Sequence, residues 1–219
     1  MRLFDSHCHL DMEEFRGDLD GVLSRAKASG VCRALLAACD EASSADVVRI
    51  SGEKSGFGVE LWASAGIHPH EADSAARSLP DSLPRLSERR EVVAIGEIGL
   101  DYYYDNSPRD VQKDVFERQL EWAGRAKKPI LVHLRNAKDR ASGDAYSDAM
   151  SMIKNHPDLS GGVIHCFSGD VADARAALDL GFYVSFAGPV TYPSAATLRE
   201  AAVFAPLDRI LCETDSPYL

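Results

Sequence analysis

The sequence lacks any long apolar run. No stretch of its 219 residues approaches the roughly 20 consecutive apolar residues that a membrane-spanning helix needs. A secretory signal peptide is also not indicated, because Asp5, His7 and His9 stand where its apolar segment would lie. We therefore expect a cytoplasmic protein without a membrane partner. Internal repeats, low-complexity tracts and linkers are missing as well, so we expect a single domain over residues 1–219.

Cysteine is scarce and scattered. The five cysteines are an odd number with no Cys-x-x-Cys spacing, which argues against the disulfide framework of a small secreted protein. We expect reduced thiols. Four of them lie in apolar runs, where cysteine acts as a small apolar side chain, namely Cys32, Cys39, Cys166 and Cys212.

Positive charge is in short supply. Lys and Arg number 24 against 34 Asp and Glu, which gives a formal net charge of −10. This balance disfavours a protein that coats nucleic acid or an anionic membrane by broad electrostatic attraction. It argues less strongly against an enzyme that cleaves phosphodiesters, because bound cations can supply positive charge at the point of reaction.

Short apolar runs alternate with amphipathic segments along the whole chain. Eight runs predict strands, at residues 3–4, 32–39, 61–67, 92–98, 129–134, 162–167, 182–186 and 210–213. Seven segments predict helices, at residues 13–29, 44–54, 79–89, 108–127, 147–155, 171–180 and 194–204. This alternation is typical of an α/β fold of the (β/α)8 TIM-barrel class, which usually takes about 250 residues.

The predicted eighth strand ends close to the last residue, so we expect the final outer helix of the barrel to be missing. A gap in the helical ring would expose apolar flank on the first and last strands. We therefore expect reduced stability or self-association, and the sequence leaves the oligomeric state open.

Histidines and acids collect at the predicted strand ends. His7 and His9 alternate along one strand and so share a face, which suits a metal ion because imidazole is the commonest metal ligand. In TIM barrels the chemistry lies at the carboxyl ends of the strands. Six candidate ligands fall there, His7, His9, Glu97, His133, His165 and Asp215. Because one tetrahedral ion takes about four ligands, six fit two ions that share a carboxylate.

Six motifs carry a family resemblance. They lie at residues 5–11, 65–70, 96–103, 133–137, 165–169 and 213–219, and they include Asp-Ser-His-Cys-His, Gly-Glu-Ile-Gly-Leu-Asp-Tyr-Tyr and Glu-Thr-Asp-Ser-Pro-Tyr-Leu. In this order they resemble the signatures of the TatD family of metal-dependent hydrolases. The resemblance implies a deoxyribonuclease that acts on DNA, single-stranded or at 3′ ends, and requires two divalent ions.

The resemblance also implies how the ligands divide. One ion would be held by His7, His9, Glu97 and Asp215. The second would be held by Glu97, His133 and His165, with Glu97 bridging. Mg²⁺ is the implied working ion, and the imidazoles make Zn²⁺ or Mn²⁺ alternatives.

Three further residues are candidates for substrate binding. His68 is either a phosphate contact or an ordinary loop histidine. Tyr102, in the Asp-Tyr-Tyr-Tyr stretch at 101–104, is placed to stack on a base, although loop packing accounts for at least one of the three tyrosines. Arg135 could bind a phosphate, the alternative being a salt bridge at the rim.

The mechanistic hypothesis is hydrolysis of a phosphodiester by water that two metal ions activate, with Glu97 and Asp215 as catalytic carboxylates and Asp215 as base. Glu213 is expected to point to the opposite face and to be structural. Related amidohydrolases that open lactones or cyclic amides are a second interpretation. They usually carry a modified lysine where this chain has Glu97. A non-catalytic metal-binding protein is a third.

Overall fold

Eight strands form one parallel sheet in chain order in the computed structural model, which describes residues 1–56 and 58–219. The strands are β1 (Leu3–Cys8), β2 (Val31–Leu36), β3 (Glu60–Ala65), β4 (Val92–Asp101), β5 (Ile130–Arg135), β6 (Gly162–Ile164), β7 (Tyr183–Phe186) and β8 (Ile210–Cys212). Each pairs in parallel with the next. The sheet curls into a nearly closed barrel, and the predicted TIM-barrel class is confirmed.

The seam between β8 and β1 is held together just beyond the strand ends. The amide of Asp215 donates to the carbonyl of His7 at 2.9 Å, and the amide of His9 donates to the carbonyl of Ser216 at 2.9 Å. The amide of Thr214 donates to the Asp5 carboxylate at 2.9 Å. These bonds bring the last residues of the chain against the first strand, at the carboxyl end of the barrel.

Helices follow the strands, as the amphipathic segments predict. They are α1 (Glu13–Arg16), α2 (Leu19–Ala28), α3 (Glu41–Lys54), α4 (Ser82–Ser87), α5 (Arg109–Ala126), α6 (Ala145–Lys154), α7 (Val171–Asp179) and α8 (Ala196–Phe204). The segment predicted as one helix over 13–29 is divided at Gly17 and Asp18. Residues 213–219 form no helix after β8. Within the described ranges, no helix has the length and apolarity to cross a membrane.

The apolar side chains form two cores. The larger one lies between the sheet and the helices and includes Leu36, Ile95 and Phe116, all fully buried. A smaller cluster consists of Leu35 on β2, Ala37 directly after β2 and Leu131 on β5, and it takes the alternate positions that face the inside of the barrel. It forms an apolar floor beneath the polar residues at the carboxyl ends of the strands.

Candidate metal centre

His7 and His9 lie side by side at the carboxyl end of β1. Their Nε2 atoms are 3.0 Å apart, and both residues are buried. Cys8 between them turns the other way and donates its thiol to the carbonyl of Leu35. The alternation of side chains along a strand therefore brings the two imidazoles together, as the sequence predicts.

Glu97 and Asp215 face this histidine pair. The Glu97 Oε2 atom lies 3.3 Å from His7 Nε2 and 3.8 Å from His9 Nε2. The Asp215 Oδ1 atom lies 3.6 Å and 3.4 Å from the same two nitrogen atoms. Two imidazoles and two carboxylates from β1, β4 and the segment after β8 thus converge on one small volume.

The second oxygen of Glu97 faces a different group of histidines. Its Oε1 atom lies 2.6 Å from His165 Nε2, 3.1 Å from His133 Nδ1 and 3.3 Å from His68 Nε2. His133 Nδ1 and His165 Nε2 are 3.2 Å apart. The structure therefore brings all six predicted ligands together and adds His68, which the sequence left open between a phosphate contact and a loop residue.

Asp101, at the end of β4, lies behind His133. Its Oδ2 atom is 3.0 Å from His133 Nε2 and 2.9 Å from His70 Nε2, and the residue is fully buried. A carboxylate on the outer nitrogen fixes the orientation of a ligand histidine and raises its basicity. Asp101 is not among the residues predicted from the sequence for the site, although Glu97 and Asp101 are four residues apart on one strand and so share a face.

Glu213 does not point away from the site as expected. Its Oε1 atom lies 3.4 Å from His165 Nδ1 and accepts the amide of Cys166, and Ser6 donates its hydroxyl to Oε2 at 3.4 Å. The expectation was wrong because it assumed a strand that continues regularly. In the structure β8 ends at Cys212 and Asp215 has a φ of +55°, so regular alternation does not set the direction of these side chains. Glu213 is therefore placed to orient His165.

Burial and neighbouring charges shift the pKa values of Glu97 and His165 in opposite directions. Burial alone raises the pKa of Glu97, but the surrounding imidazoles, His165 foremost, hold that pKa well below its usual value. Burial alone lowers the pKa of His165, yet the negative charges of Glu97 and Glu213 raise it well above the usual value. For His68 burial prevails and lowers the pKa to about 4. His68 is therefore a neutral imidazole at neutral pH. Because its Nδ1 atom accepts the amide of His70 at 3.1 Å, its proton lies on the Nε2 atom that faces Glu97.

The donor set fits divalent cations. Among the described residues, four groups of ligand atoms lie close enough together to hold an ion. They are His7 with His9 and Glu97, His68 with Glu97 and His133, His7 with His165 and Glu213, and His70 with Asp101 and His133. Buried imidazole nitrogen and carboxylate oxygen atoms suit Zn²⁺ and Mn²⁺, and the carboxylates also suit Mg²⁺. The assignment of individual ligands remains a prediction.

The predicted substrate contacts fall in different places. Tyr102 is 2% exposed and donates its hydroxyl to Asp148 at 2.8 Å, so its ring is packed into the protein and does not offer a stacking surface. This corrects the sequence interpretation, and of the three adjacent tyrosines it is Tyr103 and Tyr104 that are exposed. The guanidinium of Arg135 lies over the ring of Tyr103, 4.3 Å from its centroid.

Comparison with known proteins places the chain in a family. It matches the family described as TatD related DNase over residues 4–219. The chain belongs to the TatD family. This TatD chain is 37% identical over 218 residues to an uncharacterized metal-dependent hydrolase of Bacillus subtilis, YabD, a match that covers 99% of the chain and 81% of YabD.

Two other TatD relatives agree with this assignment. The 3′-5′ ssDNA/RNA exonuclease TatD of Pantoea vagans is 35% identical, with 99% of this chain and 80% of that protein covered. The crystal structure of YJJV, a TatD homolog of Escherichia coli, matches with a TM-score of 0.83 at 31% identity over 99% of this chain and 80% of that one. The resemblance predicted from the six motifs is confirmed, and this TatD chain is a metal-dependent hydrolase by family.

Proposed function

We propose that this protein is a nuclease that removes nucleotides from the 3′ ends of single-stranded DNA with the help of two divalent ions. The observation that carries the proposal is the placement of Glu97. One of its oxygens faces His7 and His9, and the other faces His133 and His165. A single carboxylate between two separate groups of imidazoles suits a bridging ligand of a two-ion centre.

The chemistry that two divalent ions supply in such a centre is activation of water and neutralisation of charge on phosphoryl oxygens. His7, His9, Glu97 and Asp215 would hold one ion. The other would be held by Glu97 with His133 and His165. His68 would instead direct its Nε2–H toward Glu97, since its Nδ1 atom accepts the amide of His70.

Asp215 is the residue we assign as base. Burial alone raises its pKa, but the hydrogen bond with His9 and the nearby imidazoles hold that pKa below the usual value. The carboxylate is therefore ionised at neutral pH and ready to accept a proton. Its Oδ1 atom faces His7 and His9. A proton taken from water would pass to the rim of the barrel, where the side chain is 11% exposed.

The polarity of cleavage is inferred from relatives. The Pantoea vagans protein that is 35% identical is named as a 3′-5′ ssDNA/RNA exonuclease. Buried imidazoles and carboxylates, rather than basic side chains, surround the candidate centre, and the net charge is −10. Charge neutralisation at the cleaved phosphate would therefore depend on bound cations, which accounts for a nuclease with an acidic composition.

The test uses single-stranded DNA labelled at its 5′ end and the same strand labelled at its 3′ end, each incubated with Mg²⁺ or Mn²⁺. We expect a ladder of shortened 5′-labelled products and early release of single labelled nucleotides from the 3′-labelled strand. DNA that remains intact with every ion, together with hydrolysis of a lactone or cyclic amide, would instead favour the amidohydrolase interpretation. Intact DNA and intact lactone would favour a non-catalytic metal-binding protein.

A further inference from the structure

The tyrosines after β4 are fixed to the same carboxylate that orients a ligand histidine. Asp101 Oδ1 accepts the amides of Tyr103 at 2.9 Å and Tyr104 at 3.0 Å, while its Oδ2 atom contacts His133 Nε2. Both contacts come from one fully buried side chain. The position of the two tyrosines is therefore tied to the position of the candidate metal centre.

Two cations lie against these rings. The guanidinium of Arg135 is 4.3 Å from the ring centroid of Tyr103 and 5.0 Å from that of Tyr104, and the ammonium of Lys138 is 5.2 Å from the Tyr103 ring. Arg135 follows His133 by two residues on β5. It therefore points to the same side and lies about 6.6 Å farther toward the mouth of the barrel.

These cations differ from others at the same end of the barrel. Arg109 pairs with Asp105 at 2.7 Å, and Arg140 pairs with Asp173 at 2.6 Å. Across residues 1–56 and 58–219, no carboxylate lies within ion-pairing distance of Arg135 or Lys138. In an acidic protein these two positive charges are thus left for an external anion.

The rings remain accessible although they pack beside the site. Tyr103 is 37% exposed and Tyr104 is 54% exposed, and their planes stand 77° apart with centroids separated by 4.9 Å. The Tyr104 ring centroid is 5.5 Å from that of His70, which itself contacts Asp101. An exposed aromatic surface therefore begins next to the buried histidine cluster and faces solvent.

We propose that Tyr103, Tyr104, Arg135 and Lys138 form a binding platform for the single-stranded nucleic acid that leads to the cleaved end. Bases stack on the tyrosine rings, and the two cations bind phosphates beside the one that is cleaved. Stacking on aromatic rings grips single strands without regard to base identity, and cations alongside hold the backbone. This inference rests on the proposed nuclease function and names its substrate-binding surface.

The experiment measures binding separately from cleavage. Wild-type protein with Mg²⁺ is titrated, by fluorescence anisotropy, into a labelled phosphorothioate oligothymidine that resists hydrolysis and into an abasic phosphorothioate of equal length. The variants are a Tyr103→Ala, Tyr104→Ala double substitution and Arg135→Ala. Tyr183→Ala and Arg209→Ala are matched controls, because Tyr183 is also 37% exposed and lies 5.1 Å from the Arg209 guanidinium. Tyr183 opens β7 and so lies at the opposite end of the barrel.

We expect the double tyrosine variant to bind the oligothymidine about tenfold more weakly or worse and to bind the abasic strand as the wild type does. Arg135→Ala should weaken the binding of both oligonucleotides by a similar factor, and the control variants should bind both as the wild type does. Unchanged oligothymidine binding in the tyrosine variant, or an equal loss with the abasic strand, would overturn the platform.

Cleavage of unmodified DNA by the wild type is assayed in parallel. Normal cleavage by the wild type together with unaltered binding in the variants would contradict the proposed platform but not the proposed nuclease function. Specific binding without cleavage under any ion would remove the nuclease proposal.

Discussion

Gly99 and His133 are paired across β4 and β5, and a methyl group built on Gly99 would lie 2.0 Å from the carbonyl oxygen of His133. The φ of Gly99 is +143°, a backbone conformation that other residues rarely adopt. The missing side chain lets β4 and β5 approach closely. That approach brings Glu97 Oε1 within 3.1 Å of His133 Nδ1.

A Gly99→Ala substitution should damage both the fold and the site. The added methyl group must displace the β5 backbone at His133, so we expect a loss of stability of about 1–3 kcal/mol and weaker binding of divalent ions. Urea unfolding and titration with Mn²⁺ measure the two effects. Gly17→Ala is the control, because a methyl group there meets nothing within 4 Å. Unfolding and ion binding that match the wild type in Gly99→Ala would contradict this explanation.

Asp101→Asn tests whether Asp101 orients His133. The substitution keeps the shape of the side chain but removes the charge that faces His133 Nε2, so we expect the affinity for divalent ions to fall about 10- to 100-fold. Glu117→Gln is a matched control, since Glu117 pairs with His156 at 2.8 Å elsewhere on the protein. Isothermal titration with Mn²⁺ makes the comparison. Equal affinities in the two variants would show that the carboxylate is not needed.

Much of the fold follows from local patterns in the sequence. Alternating apolar and amphipathic segments predict all eight strands in order. The first is predicted only as residues 3–4, because the polar residues that continue β1 to Cys8 break its apolar run. The break at Gly17 and Asp18 is missed, since apolar residues continue at helical spacing on both sides of it. The seam at His7 and Asp215 is also not visible in any local pattern, because it joins residues about two hundred positions apart.

Only part of the site could be predicted from the sequence, namely the part that lies at the predicted strand ends. The six candidate ligands fall at strand ends, where the fold alone brings them together. Asp101 and Glu213 contact other ligands rather than standing out as ligands themselves, and their roles depend on distances that only the folded chain reveals. Tyr102 was predicted to contact substrate but is buried in the structure. Three adjacent tyrosines carry no signal for which ring is buried, and the hydrogen-bond partner of the buried Tyr102 hydroxyl, Asp148, lies 46 positions farther along the chain.

Glu97→Gln tests the bridging role of the central carboxylate. The amide keeps the volume but presents one oxygen and one nitrogen, so it cannot offer an anionic oxygen to both histidine groups. We expect turnover to be abolished and the bound metal to fall to one ion or none, measured by elemental analysis after gel filtration. Glu91→Gln serves as control, since Glu91 is also buried, at 8% exposure against 2% for Glu97, but directly precedes β4, at the opposite end of that strand. If Glu97→Gln retains two bound ions, Glu97 is not the bridging ligand.

Removing metal should lower the melting temperature. An ion that binds the folded chain at 100 times its dissociation constant adds about 2.7 kcal/mol of stability, which corresponds to roughly 5–10 °C for a chain of this size. We therefore expect the melting temperature to fall on addition of EDTA and to rise again with excess Mn²⁺, followed by differential scanning fluorimetry. The same titration on Glu97→Gln should give a much smaller rise, because its ligands no longer surround two anionic oxygens. A wild-type melting temperature that changes with neither EDTA nor Mn²⁺ would argue that the cluster holds no ion. Its imidazoles and carboxylates would then pair only with one another.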